Sequence, residues 1–169
     1  MPVDETATAV TTSPGVELDE VDTGHRIEAA RRQRRELREA IGEMEKALAA
    51  AMPGRVDAWW HRYSAALGRL ASAYREHVRQ TEGPGGVTEL VLVQAPRLAL
   101  QVDKLVEEHR EIQAGLDDLL ACCQGPAEAE SLARARDLST SLLGRLVRHR
   151  QFGADLIYEA VHVDLGGET

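Results

Sequence analysis

Three histidines stand where helical apolar stripes call for a large nonpolar residue: His77, His109 and His149. Neutral imidazole is the commonest protein ligand for iron, zinc and copper. A buried imidazole also needs a hydrogen-bond partner. One inward histidine is ordinarily a hydrogen-bonded core residue. Three on separate helices imply either a polar network or a shared metal site. Glu82 follows His77 by five residues and ends its helix just before Gly83-Pro84-Gly85-Gly86. Five residues turn about 140° around a helix. Its carboxylate therefore joins the histidines only if the last turn swings inward; otherwise it is a solvated helix-end glutamate. Tyr74, one turn before His77 on the same stripe, is either core filler or a hydrogen-bond donor to the site.

The elements that must carry these residues follow from period. Ile27, Ala30, Arg34, Leu37, Ile41, Met44 and Leu48 recur in steps of three and four, one stripe of a packed helix ended by Pro53-Gly54. The second stripe is Val56, Trp60, Tyr63, Leu67, Leu70, Tyr74, His77 and Thr81, stopped by the glycine-proline cluster. The third, opened by Pro96, carries Leu98, Val102, Leu105, His109, Ile112, Leu116 and Leu119. The fourth starts near Ala129 and carries Leu132, Ala135, Ser139, Leu142, Leu146, His149, Gly153, Leu156 and Ala160. The run Val87 to Ala95 is too short to assign by period and reads as a short helix or an extended connector. Four helices with mostly short links predict an all-α, antiparallel up-down-up-down four-helix bundle. At about 1.5 Å per residue, His109 and His149 fall at similar depth, with His77 one or two turns nearer the bundle end.

Composition bounds the rest. The 169 residues suffice for one domain with a core, and 43% hydrophobic with 28% charged content is ordinary for a globular chain. A net charge of −8 argues against general nucleic-acid binding. No apolar run approaches the roughly 20 residues of a membrane span. The start "MPVDETATAV" lacks the pattern of a signal peptide, so a cytoplasmic location is the expectation. Residues 1–22 read as a disordered acidic tail, 23–162 as the bundle, with Asp22 or Thr23 as N-cap, and 163–169 as a short C-terminal tail. Cys122 and Cys123 are adjacent, a strained geometry for pairing, and read as free thiols. His25, His61 and His162 lie off the stripes or at chain ends and read as surface residues.

The pattern resembles the hemerythrin-like family of histidine–histidine–glutamate cation-binding bundles. "LVEEHREIQAGLDDLL" supplies Glu108-His109 with the following apolar spacing, and "LVRHRQFGADLIYEA" supplies His149. The first half overlays the second: "RRELREAIGEM" lies on "HREIQAGLDDL", and "YREHVRQTEG" places His77 on His149. The resemblance covers roughly residues 25 to 160. It implies a four-helix bundle of two similar halves holding a non-heme iron pair that binds or senses dioxygen. The chain departs from that pattern at several positions. Arg34 takes the first-helix position that corresponds to His109, and a guanidinium cannot ligate metal. Gly153 stands four residues after His149, where the resemblance implies a carboxylate, and Thr81 stands four after His77. Asp155, six after His149, is turned about 120° away.

Two functional readings follow. In the first, His77, His109, His149 and Glu82 hold a reduced site of one iron or zinc ion, rather than an intact pair of two ions, with a position open to dioxygen or another small ligand. Tyr74 and Arg34 then line or partly fill the site. In the second, the bundle is metal-free and serves a structural or protein-binding role, with Arg34 and Glu82 as an internal ion pair. Of Trp59 and Trp60, about 100° apart, one is then buried and the other marks an exposed contact patch. No acid–base pair or nucleophile arrangement supports a named reaction, so the sequence points to binding rather than catalysis.

Overall fold

A computed structural model describes residues 15–50 and 54–162, the side chains of 15–27, 30, 161 and 162 excepted. Among the described residues every regular element is helical: α1 Gly15–Ala49, α2 Val56–Glu82, α3 Val87–Gln94, a 3-10 turn Pro96–Leu98, α4 Ala99–Cys122 and α5 Ala129–His162. No helix among these residues is long and apolar enough to cross a membrane. Helix α1 begins at Gly15 rather than at residue 23, so residues 15–22 of the expected tail have helical backbone. Residues 1–14 and 163–169 of the two expected tails lie outside the described residues.

Helix pairs make their contacts in reversed order. Gln33 of α1 bonds the backbone of Ala73 in α2, and Glu43, ten residues later, pairs with Arg69, four residues earlier. In the same way Glu108, Glu111 and Cys122 of α4 meet His149, Arg145 and Ser131 of α5. α2 also packs on α4, and α1 on α5.

One apolar cluster fills the space between the four long helices, with Met44, Leu67, Leu70, Leu116, Leu119 and Leu146 almost fully buried. Burying each such side chain stabilises the fold by about 1.5–3 kcal/mol. Trp59 and Trp60 are both in this cluster, which corrects the expectation that one of them marks an exposed patch. Both stack on Tyr63, with ring centroids 5.0 and 5.6 Å away, and Trp59 reaches under Arg136 of α5. Because α2 touches several helices, its buried arc is wide enough for two rings 100° apart.

α1 buries Leu37, Ile41 and Met44 of its expected stripe and adds Gln33 and Ala40 on one flank, and Arg34 is only half-buried. The steps 33, 37, 40 and 44 are as regular as 34, 37, 41 and 44, so period alone does not separate them.

The segment Val87–Ala95 is short helix α3, and it packs on α2, α4 and α5. Val91, Ala95, Leu98, Val102, Leu105, Leu156 and Ala160 form a second core beneath it. The turn before it depends on glycine. Gly85 has φ +68°, and a Cβ on Gly86 would lie 2.4 Å from the Thr81 carbonyl oxygen. That close return lets Thr88 donate to the same carbonyl at 2.9 Å. It also ends α2 at Glu82, at the level where the histidines meet.

Candidate metal centre

α2, α4 and α5 each bring one histidine to a common point. His77, His109 and His149 each offer a ring nitrogen, and the three nitrogens lie within 4.8 Å of one another. Ring centroids are 5.2 Å apart for His77–His109, 5.5 Å for His77–His149 and 4.7 Å for His109–His149. His77 is therefore level with the other two, not one or two turns nearer the end. His109 and His149 are 1% and 4% exposed, and His77 is half-buried. His61 is exposed, and the side chains of His25 and His162 lie outside the described residues.

Each ring is held from behind at Nδ1. His77 Nδ1 lies 3.1 Å from Gln33 Oε1, whose amide orientation is set because its Nε2 donates to the Ala73 carbonyl at 3.0 Å. His149 Nδ1 lies 3.1 Å from Glu108 Oε2, and His109 Nδ1 lies 2.5 Å from Glu82 Oε1. An amide oxygen and two carboxylates accept, so all three Nδ1 atoms carry the donated proton. The tautomers are assigned from these acceptors. In a neutral ring that leaves Nε2 as a bare lone pair.

Two of those lone pairs face each other. His77 Nε2 and His149 Nε2 are 3.3 Å apart, and neither neutral ring has a proton to place between them. His109 Nε2 is buried with no hydrogen-bond partner among the described residues. Burial first, then repulsion from the other histidines and Arg34, pushes the His77 pKa down to about 3. Burial and His149 take His109 down to about 3. Burial lowers His149 as well, opposed by its bond to Glu108. Burial thus keeps the rings neutral, and neutral imidazole is the metal-ligating form. The site fits a cation: three uncharged donors, each oriented by an outer acceptor, are the arrangement that metal-binding histidines use.

Glu82 lies behind His109, reaching its Nδ1, and is not one of the groups that converge with the three ring nitrogens. In this structure the residue expected as a fourth ligand is the hydrogen-bond acceptor of His109 Nδ1. Burial raises its pKa, opposed by Arg110. Arg34 forms no ion pair with Glu82, so the internal pair of the metal-free reading is absent among the described residues. Asp155 is exposed and accepts from Gln151, away from the histidines.

Tyr74 is buried, with its ring centroid 5.8, 6.1 and 6.2 Å from those of His77, His109 and His149. Burial, then the carboxylates of Glu82 and Glu108, pushes its phenol pKa far up, so it stays protonated. Its hydroxyl has no hydrogen-bond partner among the described residues. The buried site therefore contains an unused donor and an unused acceptor.

Gln33 and Glu108 carry orienting roles that were not singled out from sequence. Glu108 had a signal: it precedes His109 and stands four residues before Ile112, so it flanks the buried stripe. Gln33 had none beyond its spacing, because it competes with Arg34 for the same seam.

Compared with protein-family models, curated proteins and solved structures, the chain matches none.

Proposed function

We propose that this chain is a hemerythrin-like, antiparallel up-down-up-down bundle with a single-metal site for a small ligand such as dioxygen. The observation that carries the reading is the convergence of three histidine ring nitrogens within 4.8 Å, on rings each held by an acceptor at Nδ1. A cation between them would remove the repulsion of His77 against His149 and give His109 Nε2 its missing partner. His77, His109 and His149 would be the ligands, with iron or zinc the ions suited to them. Such an ion would supply open coordination positions for a small ligand. Glu82 and Glu108 orient two of the rings and place two acidic side chains near a dication. Tyr74 is placed to donate to whatever enters, since its hydroxyl has no other use in the site.

A second ferrous ion is disfavoured by the residues present. Arg34 brings a fixed positive charge next to His77, and Gly153 supplies no ligand atom.

The second reading, a metal-free structural or protein-binding bundle, has its support in the same three Nδ1 hydrogen bonds, which hold the rings without an ion. Elemental analysis of purified protein, before and after anaerobic loading with ferrous iron or zinc, separates the two. About one ion per chain, lost in both His109→Ala and His149→Ala while helicity is retained, is the expected result. No ion, with an unchanged melting temperature on loading, would refute the metal reading.

A further inference from the structure

A cavity of about 360 Å³ opens beside the histidines, bounded by α1, α2, α4 and α5, with Val87 of α3 at its edge. His77 and His149 form part of its wall. Three guanidinium side chains line it, Arg34, Arg38 and Arg150, and no aspartate or glutamate is among its described lining residues. That is against the trend of a chain with 28 acidic and 20 basic residues. None of the three arginines has a hydrogen bond or ion pair within the described residues, although Arg34 is half-buried. Burial, then repulsion from Arg31 and Arg38, lowers the Arg34 pKa. A partly desolvated cation without a counter-charge is costly and favours an incoming anion. Leu37, Val87, Leu105, Leu156 and Ile157 give the wall its apolar part, together with the uncharged polar side chains of Gln33, Gln80, Thr81 and Gln151.

We infer that this cavity binds a small organic carboxylate with an apolar body, its carboxylate held by Arg34 beside His77 and His149 and its chain laid against Leu105, Leu156 and Ile157. A guanidinium matches a carboxylate with two parallel hydrogen bonds. The volume lies within the range of small-molecule sites, which set a limited number of placed polar groups against apolar surface. Room for about 12 water volumes at roughly 30 Å³ each is on the order of an eight-carbon acid. The inference rests on the reading above for the identity of the site and adds the class of ligand that reaches it. The guanidinium and the apolar wall are present with or without an ion.

The test is calorimetric titration of the full chain, metal-free and zinc-loaded, with octanoate and with octanol. Octanoate is expected to bind one to one to the metal-free protein, at least about tenfold more tightly than octanol. Arg34→Gln should weaken octanoate at least about tenfold and leave octanol unchanged, and Arg34→Lys should restore part of the loss. Gly153→Leu, which puts a side chain into the cavity wall from another helix, should weaken both probes. Equal affinity for octanoate and octanol, or octanoate binding unaffected by Arg34→Gln, would overturn the inference. Absence of octanoate binding by folded protein that takes up zinc would overturn it and leave the metal reading intact. Octanoate binding that needs Arg34, in a chain that takes up no metal, would support it and remove the metal reading.

Discussion

Replacing Glu82 with Gln tests the claim that the histidines are oriented for a cation rather than packed as core. The carboxylate accepts from His109 Nδ1 at 2.5 Å, whereas Glu108 accepts from His149 at 3.1 Å. Glutamine keeps an acceptor oxygen and the side-chain shape but loses the charge. A charge-assisted bond is roughly twice as strong as a neutral one, and the shorter of two such bonds is the stronger. Loss of an outer partner of a metal-ligating histidine costs about 10–100-fold in metal affinity, which is about 1.4–2.7 kcal/mol. Glu82→Gln should fall near the top of that range and Glu108→Gln near the bottom. The control is Glu111→Gln, on the same helix as His109, which breaks a pair with Arg145 whose side chains are 35% and 55% exposed. An exposed pair contributes only about 0–1 kcal/mol, and among the described residues this one makes no hydrogen bond or ion pair to a histidine. Zinc affinity by competition with a chromophoric chelator is the assay, with circular dichroism to confirm the fold. If Glu82→Gln and Glu108→Gln match Glu111→Gln within about twofold, the carboxylates do not set the ligand tautomers and the reasoning fails.

Other perturbations have defined outcomes. Folded His77 and His109 titrate near 3 against about 6.5 when unfolded. The unfolded chain therefore binds more protons between those values, and stability should fall as pH drops from about 6.5 toward 3. A metal-free melting temperature flat from pH 7 to 4 would contradict this. Tyr74→Phe removes a buried hydroxyl that has no partner, so the metal-free melting temperature should hold or rise. A drop of several degrees would show that the hydroxyl has a structural partner. Gly153→Ala places a methyl 3.8 Å from Leu105 Cδ1, an ordinary contact, and removes a helix-interior glycine. It should stabilise by about 0.8–1 kcal/mol, or roughly 2–4 °C. Arg34→His should increase metal uptake if α1 faces the site at that position, and no gain would count against the overlay of the two halves.

The local signals in the sequence were strong. Apolar residues at three- and four-residue steps marked the long helices. Gly83-Pro84-Gly85-Gly86 ended α2 where expected, because backbone geometry at Gly85 and Gly86 admits little else. The same stripes carried His77, His109 and His149 to the interior, since a residue at a stripe position turns inward with its neighbours.

Tertiary packing decided what a stripe cannot. On α1, Gln33 rather than Arg34 is the fully buried residue at the seam, and both fit the helical period equally well. The depth of His77 depended on how α2 is offset against α4 and α5, which is a matter of side-chain interlock between helices. Trp60 became buried because α2 has neighbours on several sides, whereas period marks only one face. Glu82 and Glu108 found their places through contacts across 27 and 41 residues of chain. Sequence spacing says which residues share a helix face; it does not say which nitrogen of a ring points inward. That depends on the acceptor waiting behind each imidazole, and the acceptors come from other helices, assembled only when the bundle closes.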